Sequence, residues 1–426
     1  MNSQLDPLSR EYAQQLDRED PLSRYREQFV IDDPNLCYLD GNSLGRLPKK
    51  TIEAVNSFLV NEWGKEVVTG WGHWVDDAQP AGDLIGSSTL GAGPGQVLVC
   101  DTTSVNFYQL CMAVVKAKPD RKTIITDAAN FPTDRYILQG IAKQFDMNLV
   151  VIDNETDGSL ERITPEKLAP YLNDDVALVT FEVIQYRSGA RNPIKEITEL
   201  ARKHGALVVW DASHSAGSIR MDFDANGIDL AVGCTYKYGN SGPGAPAWMY
   251  VNKRVQNELQ VAIQGWFAQK NQFAMGPTFE RADGIRGFQI ATPPMLGVQC
   301  IKVAFSMLAE AGIDAIEKKA ALGTSYMIDL FDSWLAPLGM TLKTPRDPRQ
   351  RGGHVSIAHP DAAQICVGLR EISHVIPDFR APDAIRLAVS PLQTSYEEIW
   401  EGFSRIRDLV ATKKYQEISS GNLRVT

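Results

Sequence analysis

The sequence predicts an α/β fold: a mainly parallel sheet flanked by helices, followed by a smaller α+β lobe toward the carboxyl end. Two observations carry that prediction. Between residues 96 and 237, short β-rich apolar runs alternate with amphipathic segments of helical period. Several of those runs also place a residue suited to ligand contact just past their ends, at Thr103, Phe131, Asp211 and Lys237. Open parallel sheets gather their ligands at the carboxyl ends of strands.

In chain order, residues 1 to about 30 are charged and read as helical, with Asp6-Pro7 and Asp20-Pro21 as helix starts. Cys37-Tyr38-Leu39 is a short strand that breaks into Asp40-Gly41-Asn42-Ser43-Leu44-Gly45. Its glycines either let backbone approach a ligand or simply turn the chain. Trp63, Trp71 and Trp74 then cluster around His73. They either cover an aromatic substrate or pack together locally. His73 itself reads as structural or solvated.

The run from Gln96 is a strand ending in the hydroxyl residues Thr102, Thr103 and Ser104, and a helix is expected over Phe107 to Lys118. Hydroxyls and free N–H groups at a helix start form an anion site, or a plain N-cap. Strands follow at Thr123–Thr126, Asn148–Ile152, Val176–Thr180 and Ala206–Trp210. Helices are expected at Thr133–Phe145, Pro165–Leu172 and Ile194–His204. Residues 264 to 297 are loop-rich, and a loop of that length inside a domain is more often functional than accidental. Helices are expected from Leu296 to Ala311 and, with Asp314 as N-cap, on to Leu335. Strands near Val355–Ala358 and Ile385–Val389 and a last helix from Tyr396 complete the smaller lobe.

With 426 residues, 44% hydrophobic and 22% charged, the composition is that of an ordinary globular protein. A formal charge of -9 disfavours nucleic acid or an anionic membrane as partner. The polar, acidic start Met1-Asn2-Ser3-Gln4 does not resemble a secretory signal, and no apolar run is long enough to span a bilayer. Six scattered cysteines without a CxxC pair read as reduced thiols in a cytoplasmic protein with no structural metal.

The stretch from Val209 to Gly244 carries the chemistry. One apolar run delivers Asp211, and a second delivers Lys237 into the glycine-rich turn Gly239-Asn240-Ser241-Gly242-Pro243-Gly244. That pair suits pyridoxal phosphate, which needs a carboxylate for its ring nitrogen and an amine for its aldehyde. Partial desolvation between apolar neighbours would favour the neutral, nucleophilic form of Lys237. Thr103, Ser104 and the Tyr236 hydroxyl are candidate phosphate donors. Phe131 or His214 can cover the ring face.

Four motifs taken together closely resemble kynureninase, in its bacterial more than its animal forms. They are Tyr38 to Gly45, Phe131-Pro132-Thr133-Asp134, Asp211-xx-His214, and Thr235-Tyr236-Lys237-Tyr238 followed by Ser241-Gly242-Pro243-Gly244. The resemblance runs from about residue 30 to 415 and extends to Gly265-Trp266-Phe267, Thr292-Pro293-Pro294 and Asp378-Phe379-Arg380-Ala381-Pro382-Asp383. It implies the fold-type-I pyridoxal phosphate architecture, with a seven-stranded sheet and a homodimer whose sites lie at the subunit interface. The implied divisions are an arm of residues 1–50 joining the small lobe, a cofactor-binding domain of 51–305 and a small domain of 306–426.

Carried over by position, Lys237 binds the aldehyde, Asp211 pairs with the ring nitrogen and His214 lies beside the cofactor. Thr103, Ser104 and Tyr236 hold the phosphate, and Phe131 stacks on the ring with Asp134 nearby. Trp266 and Thr292 reach the phosphate region from the partner subunit. Arg386 takes the substrate α-carboxylate, a task that suits guanidinium geometry, and Ser43 and Trp63 join the substrate site. The implied reaction cleaves the Cβ–Cγ bond of L-kynurenine, or a ring-substituted kynurenine, to an anthranilate and L-alanine, with Tyr236 as the acid.

The chain departs from the family's usual Tyr-Leu-Asn with Tyr238-Gly239-Asn240, and from Thr-Pro-Leu-Tyr with Ser390-Pro391-Leu392-Gln393. The ring substituents of the substrate therefore stay open. The alternatives are a cysteine desulfurase or epimerase of the same fold, or a non-catalytic cofactor-binding protein. Cys366 reads as a helix-buried thiol rather than a desulfurase nucleophile, and both Lys237 and Arg386 are present.

Overall fold

A computed structural model describes residues 5–154 and 160–418. Its thirteen strands are β1 (Cys37–Tyr38), β2 (Val97–Val99), β3 (Thr123–Asp127), β4 (Asn148–Ile152), β5 (Val176–Glu182), β6 (Leu207–Asp211), β7 (Leu230–Gly233), β8 (Trp248–Val251), β9 (Thr341–Leu342), β10 (His354–Ala358), β11 (Val375–Ile376), β12 (Asp378–Arg380) and β13 (Ala384–Ala388). Seven of them make the central sheet, in the order β2-β8-β7-β6-β5-β3-β4. Every neighbour pair is parallel except those that β8 makes with β2 and β7.

Strands β5, β6, β7 and β8 are buried along their whole length save Leu207, so they are continuous apolar runs, as covered parallel strands must be. The expected sheet is therefore present, and β8 completes it. Trp248-Met249-Tyr250-Val251 gives little strand signal of its own, because the proline- and glycine-rich turn before it masks its start.

Helices form near the positions expected, at Thr103–Ala117, Pro132–Phe145, Ile194–Lys203, Met295–Ala311 and Tyr396–Thr412. Two starts differ. The first helix is Arg10–Glu19, capped by Ser9 accepting from the Tyr12 N–H at 3.2 Å, so it begins after Asp6-Pro7. The helix Ile313–Leu330 has Gly312 at its N-cap, and Asp314 sits in its first turn. Gly312, at φ +80°, turns the chain sharply there, and an aspartate one residue into the helix acts on its dipole instead of capping it. The expected boundary between 305 and 306 falls inside Met295–Ala311, whose Met307 and Leu308 still pack in the larger core.

A second core gathers Cys37, Leu39, Met327, Phe331, Val355, Ile365, Leu387 and Phe403. It covers the antiparallel sheet β12-β13-β10-β9 and the parallel pair β1-β11. The amino-terminal helix belongs here: Ala13 is part of this core, and the Asp17 carboxylate accepts from the Tyr396 and Glu397 N–H groups at the start of the last helix. No single helix among the described residues is long and apolar enough to cross a membrane.

Candidate active site

The carboxyl ends of the parallel strands meet the inner face of the small sheet, and the expected residues converge there. Asp211 ends β6, and its Oδ1 accepts from the Ser213 N–H at 2.7 Å. Lys237 lies just beyond β7, and its Nζ is 2.8 Å from Nε2 of His214 and 6.0 Å from the centroid of the Phe131 ring. Phe131 in turn meets Tyr186 edge-on at 5.2 Å.

The turn at Asp40–Gly45 docks directly on the lysine segment, with the Gly45 N–H donating to the Tyr236 carbonyl at 2.8 Å. A Cβ on Gly45 would sit 2.2 Å from Asn240 Oδ1 and 2.5 Å from the Lys237 carbonyl. The glycine therefore serves close approach of this turn to the lysine segment.

Charge around these groups is sharply sorted. Burial pulls the His214 imidazole well below its usual range, with the nearby cations Lys237 and Arg386 adding to the effect. The Nε2 of this neutral His214 faces the Lys237 amine, and its Nδ1 is buried without a partner among the described residues. Behind Asp211 stand two more buried carboxyls, Asp134 and Glu182. Burial, then the adjacent Asp211, pushes both well above their usual values, which favours their protonated forms. Burial also pushes Asp127 up to about 7. Tyr236 is raised by the neighbouring Cys234 and by burial, so its phenol stays protonated.

The helix Thr103–Ala117 opens toward the same side, with Thr102 capping it by accepting from the Val105 N–H at 3.3 Å. Capping by Thr102 leaves Thr103, half-buried, and Ser104, exposed, in the first turn. A fifteen-residue helix presents partial positive charge there, and two hydroxyls add donors.

The donor set fits pyridoxal phosphate: an amine, a carboxylate at a strand end, an aromatic face, a helix start with hydroxyls, and a buried imidazole nitrogen without a partner. Arg386 is not open to solvent, as a residue waiting for substrate is often pictured. It is fully buried on β13, where its guanidinium binds Asp378, the Tyr186 carbonyl and, at 3.1 Å, Ser43 Oγ. Asp378 also holds Arg380 at 3.0 Å.

Three expected residues lie elsewhere on the chain. Trp266 is 44% exposed and packs on Phe267 and Phe273. Trp63, 57% exposed, and Thr292 line one apolar cavity of about 630 Å³ with Val67, Val68 and Trp71. Trp71 and Trp74 meet edge-on at 5.4 Å, and Phe58 lies 5.5 Å from Trp74, so the inner part of the tryptophan cluster packs locally. His73 is paired at the surface with Glu66 at 2.8 Å.

Four residues of the site escaped sequence reasoning: Tyr186, Glu182, His354 and Asp378. Glu182 carried a usable signal, an acid ending an apolar strand run just as Asp211 does, and the two are direct neighbours in register. Tyr186 and His354 carried none, because their roles arise from distant segments. His354 is fully buried, with its ring 5.6 Å from that of His214 and both nitrogens unpartnered.

Comparison with known proteins adds to this geometry. Residues 316–406 match the family described as the kynureninase C-terminal domain. The chain is 34% identical over 416 residues to a kynureninase of Burkholderia pseudomallei strain K96243, covering 96% of this chain and 97% of the relative. It is 31% identical over 410 residues to a kynureninase of Pseudomonas fluorescens, covering 94% and 95%. Among solved structures it is similar to a C-DES mutant with glycine covalently linked to the PLP cofactor (TM-score 0.79, 19% identity, 90% of this chain and 99% of that one). It is also similar to an apo cysteine desulfurase from Thermococcus onnurineus (TM-score 0.75, 15% identity, 97% and 100%). At these identities the structural likeness concerns the fold, which is that of fold-type-I pyridoxal phosphate enzymes.

Proposed function

The chain belongs to the kynureninase family, and from that premise we propose how its residues divide the work. The enzyme is a pyridoxal phosphate-dependent hydrolase that cleaves the Cβ–Cγ bond of L-kynurenine or a ring-substituted kynurenine, releasing an anthranilate and L-alanine. The observation that carries the assignment of roles is Lys237 held against neutral His214, beside Phe131 and the acid cluster of Asp211.

When bound, the cofactor supplies an electron sink for the substrate's Cα and Cβ carbanions. Lys237 would hold its aldehyde at rest and, once the substrate amine has displaced it, its freed amine would take the proton from the substrate Cα. His214, neutral and 2.8 Å away, accepts from the lysine and fixes where that amine points. Asp211 pairs with the ring nitrogen, while Asp134 and Glu182 keep their own protons and so do not compete for that nitrogen's charge. Thr103, Ser104 and Tyr236 take the phosphate at the helix start. Phe131 covers the ring and is itself braced by Tyr186.

Arg386 binds the α-carboxylate with Ser43 alongside. Tyr236, protonated at neutral pH, is the acid that delivers a proton to the released β-carbon. Water adds to the γ-carbonyl in the step that breaks the bond.

Trp266 and Thr292 act on the site of a second copy of the chain, which makes the enzyme a homodimer. Their exposure in one chain supports this reading, and Trp63, sharing a cavity with Thr292, goes with them toward the aryl ring. The six free thiols suit a reducing, cytoplasmic setting. A desulfurase reading fares worse, since Cys366 is fully buried in a helix and burial pushes its thiol up.

The test is to incubate purified enzyme with kynurenine and with 3-hydroxykynurenine and to measure alanine. Release from at least one is expected, with both release and the cofactor's visible absorption band lost in Lys237→Ala. No alanine from either, with the band present, overturns the substrate assignment and leaves the cofactor standing.

A further inference from the structure

The lysine turn is held from outside by one side chain that the proposed reaction leaves unused. Within the turn, the Asn240 N–H donates to the Lys237 carbonyl at 3.0 Å, and the Ser241 N–H to the Thr235 carbonyl at 3.1 Å. Asn240 stands at φ +53°, a left-handed conformation that asparagine tolerates better than most residues. Its side-chain amide donates to the Tyr238 carbonyl at 2.7 Å.

Gln393, in the turn after β13, meets that amide from the small lobe. Its Nε2 donates to Asn240 Oδ1 at 3.3 Å, and its Oε1 accepts from the Arg46 N–H at 2.9 Å. Backbone groups fix the orientation of both amides. A backbone N–H can only donate, so Oε1 faces Arg46; a backbone carbonyl can only accept, so Nδ2 of Asn240 faces Tyr238. The remaining Gln393 N–H and Asn240 oxygen then meet as donor and acceptor. Gln393 is 2% exposed and Asn240 4%, so water does not readily replace either partner.

Beside Arg46, the Gly45 N–H donates to the Tyr236 carbonyl at 2.8 Å. Gln393 thereby joins three segments around Lys237: the Asp40–Arg46 turn, the lysine turn, and the chain leaving β13, the strand that carries Arg386. It is itself anchored, with its N–H donating to the Ser390 carbonyl at 3.0 Å and its carbonyl accepting from Arg26.

We propose that Gln393 is a positioning residue for Lys237: by bridging Asn240 and Arg46 it fixes the lysine turn against the segment that follows Arg386, and so sets where the lysine amine stands for Cα proton transfer. The inference rests on the role of Lys237 in the kynureninase reading.

The same contacts give a place to the two departures from the family pattern, of which Gln393 is one. At the other, Gly239, a Cβ would stand 2.4 Å from the Thr235 carbonyl and 2.9 Å from the Phe305 ring, so the glycine lets that ring close on the turn. Neither residue lines the cavity shared by Trp63 and Thr292. Both departures meet the lysine turn.

The experiment compares wild-type holoenzyme with two variants. Gln393→Met keeps the length of the side chain and makes neither hydrogen bond, and Asn240→Gly keeps the left-handed backbone and loses the acceptor. Thermal melts and the cofactor's visible band establish that each folds and loads. Steady-state kinetics with kynurenine and with its α-deuterated form then read the lysine's task. Each single variant is expected to lower kcat by about tenfold, hold KM within about threefold and raise the deuterium effect on kcat, because a displaced amine slows Cα proton transfer in particular. The double variant is expected to stay within about twofold of the worse single one, since both substitutions cut one contact.

A Gln393→Met enzyme with wild-type kcat and deuterium effect overturns the proposal. A loss confined to KM overturns it equally, as does a double variant whose losses multiply to about 100-fold. If Gln393→Met does not fold, Asn240→Gly carries the same expectation by itself, and a wild-type deuterium effect in it decides against the proposal. Failure of the kynureninase reading shows separately, as absence of alanine release by the wild type. The pH midpoint of the cofactor's visible band needs no substrate and then reads the lysine directly: a shift of about half a pH unit or more is expected in both variants, and an unshifted midpoint overturns the proposal.

Discussion

The two walls of the site are built from opposite charge, and they manage it differently. The large-sheet wall places Asp127, Asp134, Glu182 and Asp211 together, all buried. The small-lobe wall places Arg380 and Arg386 around Asp378. On the first wall the excess is relieved by protonation, since carboxyls can hold a proton and burial drives them to do so. Guanidinium has no such escape, so the second wall relies on a fixed counter-ion, Asp378. The acid wall therefore sheds charge by taking up protons, and the arginine wall keeps its charge and pairs it. Lys237 and His214 stand between them.

Removing a fixed charge should cost far more than removing a protonated acid, and the variants rank accordingly. Arg386→Gln strands Asp378 without its main partner in a fully buried place and deletes the carboxylate seat. We expect kcat/KM to fall by about 10³-fold or more and the melting temperature to drop, because breaking a buried pair costs roughly 3–5 kcal/mol. Steady-state kinetics and thermal melts check both. A loss below tenfold would show that the arginine wall does not hold the substrate.

Asp127 tests the acid wall through pH. Its folded carboxyl titrates near 7, above the ordinary carboxylate range, so the native state holds a proton that the unfolded chain releases from about pH 4 upward. The stabilisation is fully present below pH 4 and is lost as pH rises through 7, at most about 1.4 kcal/mol per pH unit. Asp127→Asn keeps an acceptor for Asn154 and Gln185, which donate to Oδ2 at 2.7 and 2.8 Å. The variant should flatten this part of the stability curve in urea titrations at pH 4.5 and 7.5. An unchanged pH slope would mean that the proton is held elsewhere.

The smallest effect is expected at Asp134→Asn, because an amide replaces an acid that keeps its proton. Less than about tenfold loss in kcat/KM is expected. A loss beyond about 100-fold would show that Asp134 is used in its charged form, and the two walls would then be less different than the structure implies.

Of the acid wall the sequence offered Asp211 at its strand end and, by resemblance, Asp134, and of the arginine wall it offered Arg386. Asp211 and Lys237 each end an apolar run, and a parallel sheet places all such ends on one side. Arg386 was found by resemblance, but its burial and its grip by Asp378 were not, since that pairing depends on two strands lying antiparallel with Asp378 opposite Arg386. Strands of two or three residues such as β11 and β12 leave no periodicity to read.

By itself, then, the sequence determined the alternation of strands and helices, the cofactor-binding pair at two strand ends and the family those residues mark. These are local or order-dependent properties, written in hydrophobic period and in the residues that close each strand. The tertiary structure alone decided which buried carboxyls burial drives toward their protonated forms, that His214 is neutral beside Lys237, and that Arg386 is gripped by Asp378 and reaches Ser43. Those depend on desolvation and on charges brought together from segments more than 300 residues apart, as Ser43 and Arg386 are. No window of sequence contains both members of such a pair.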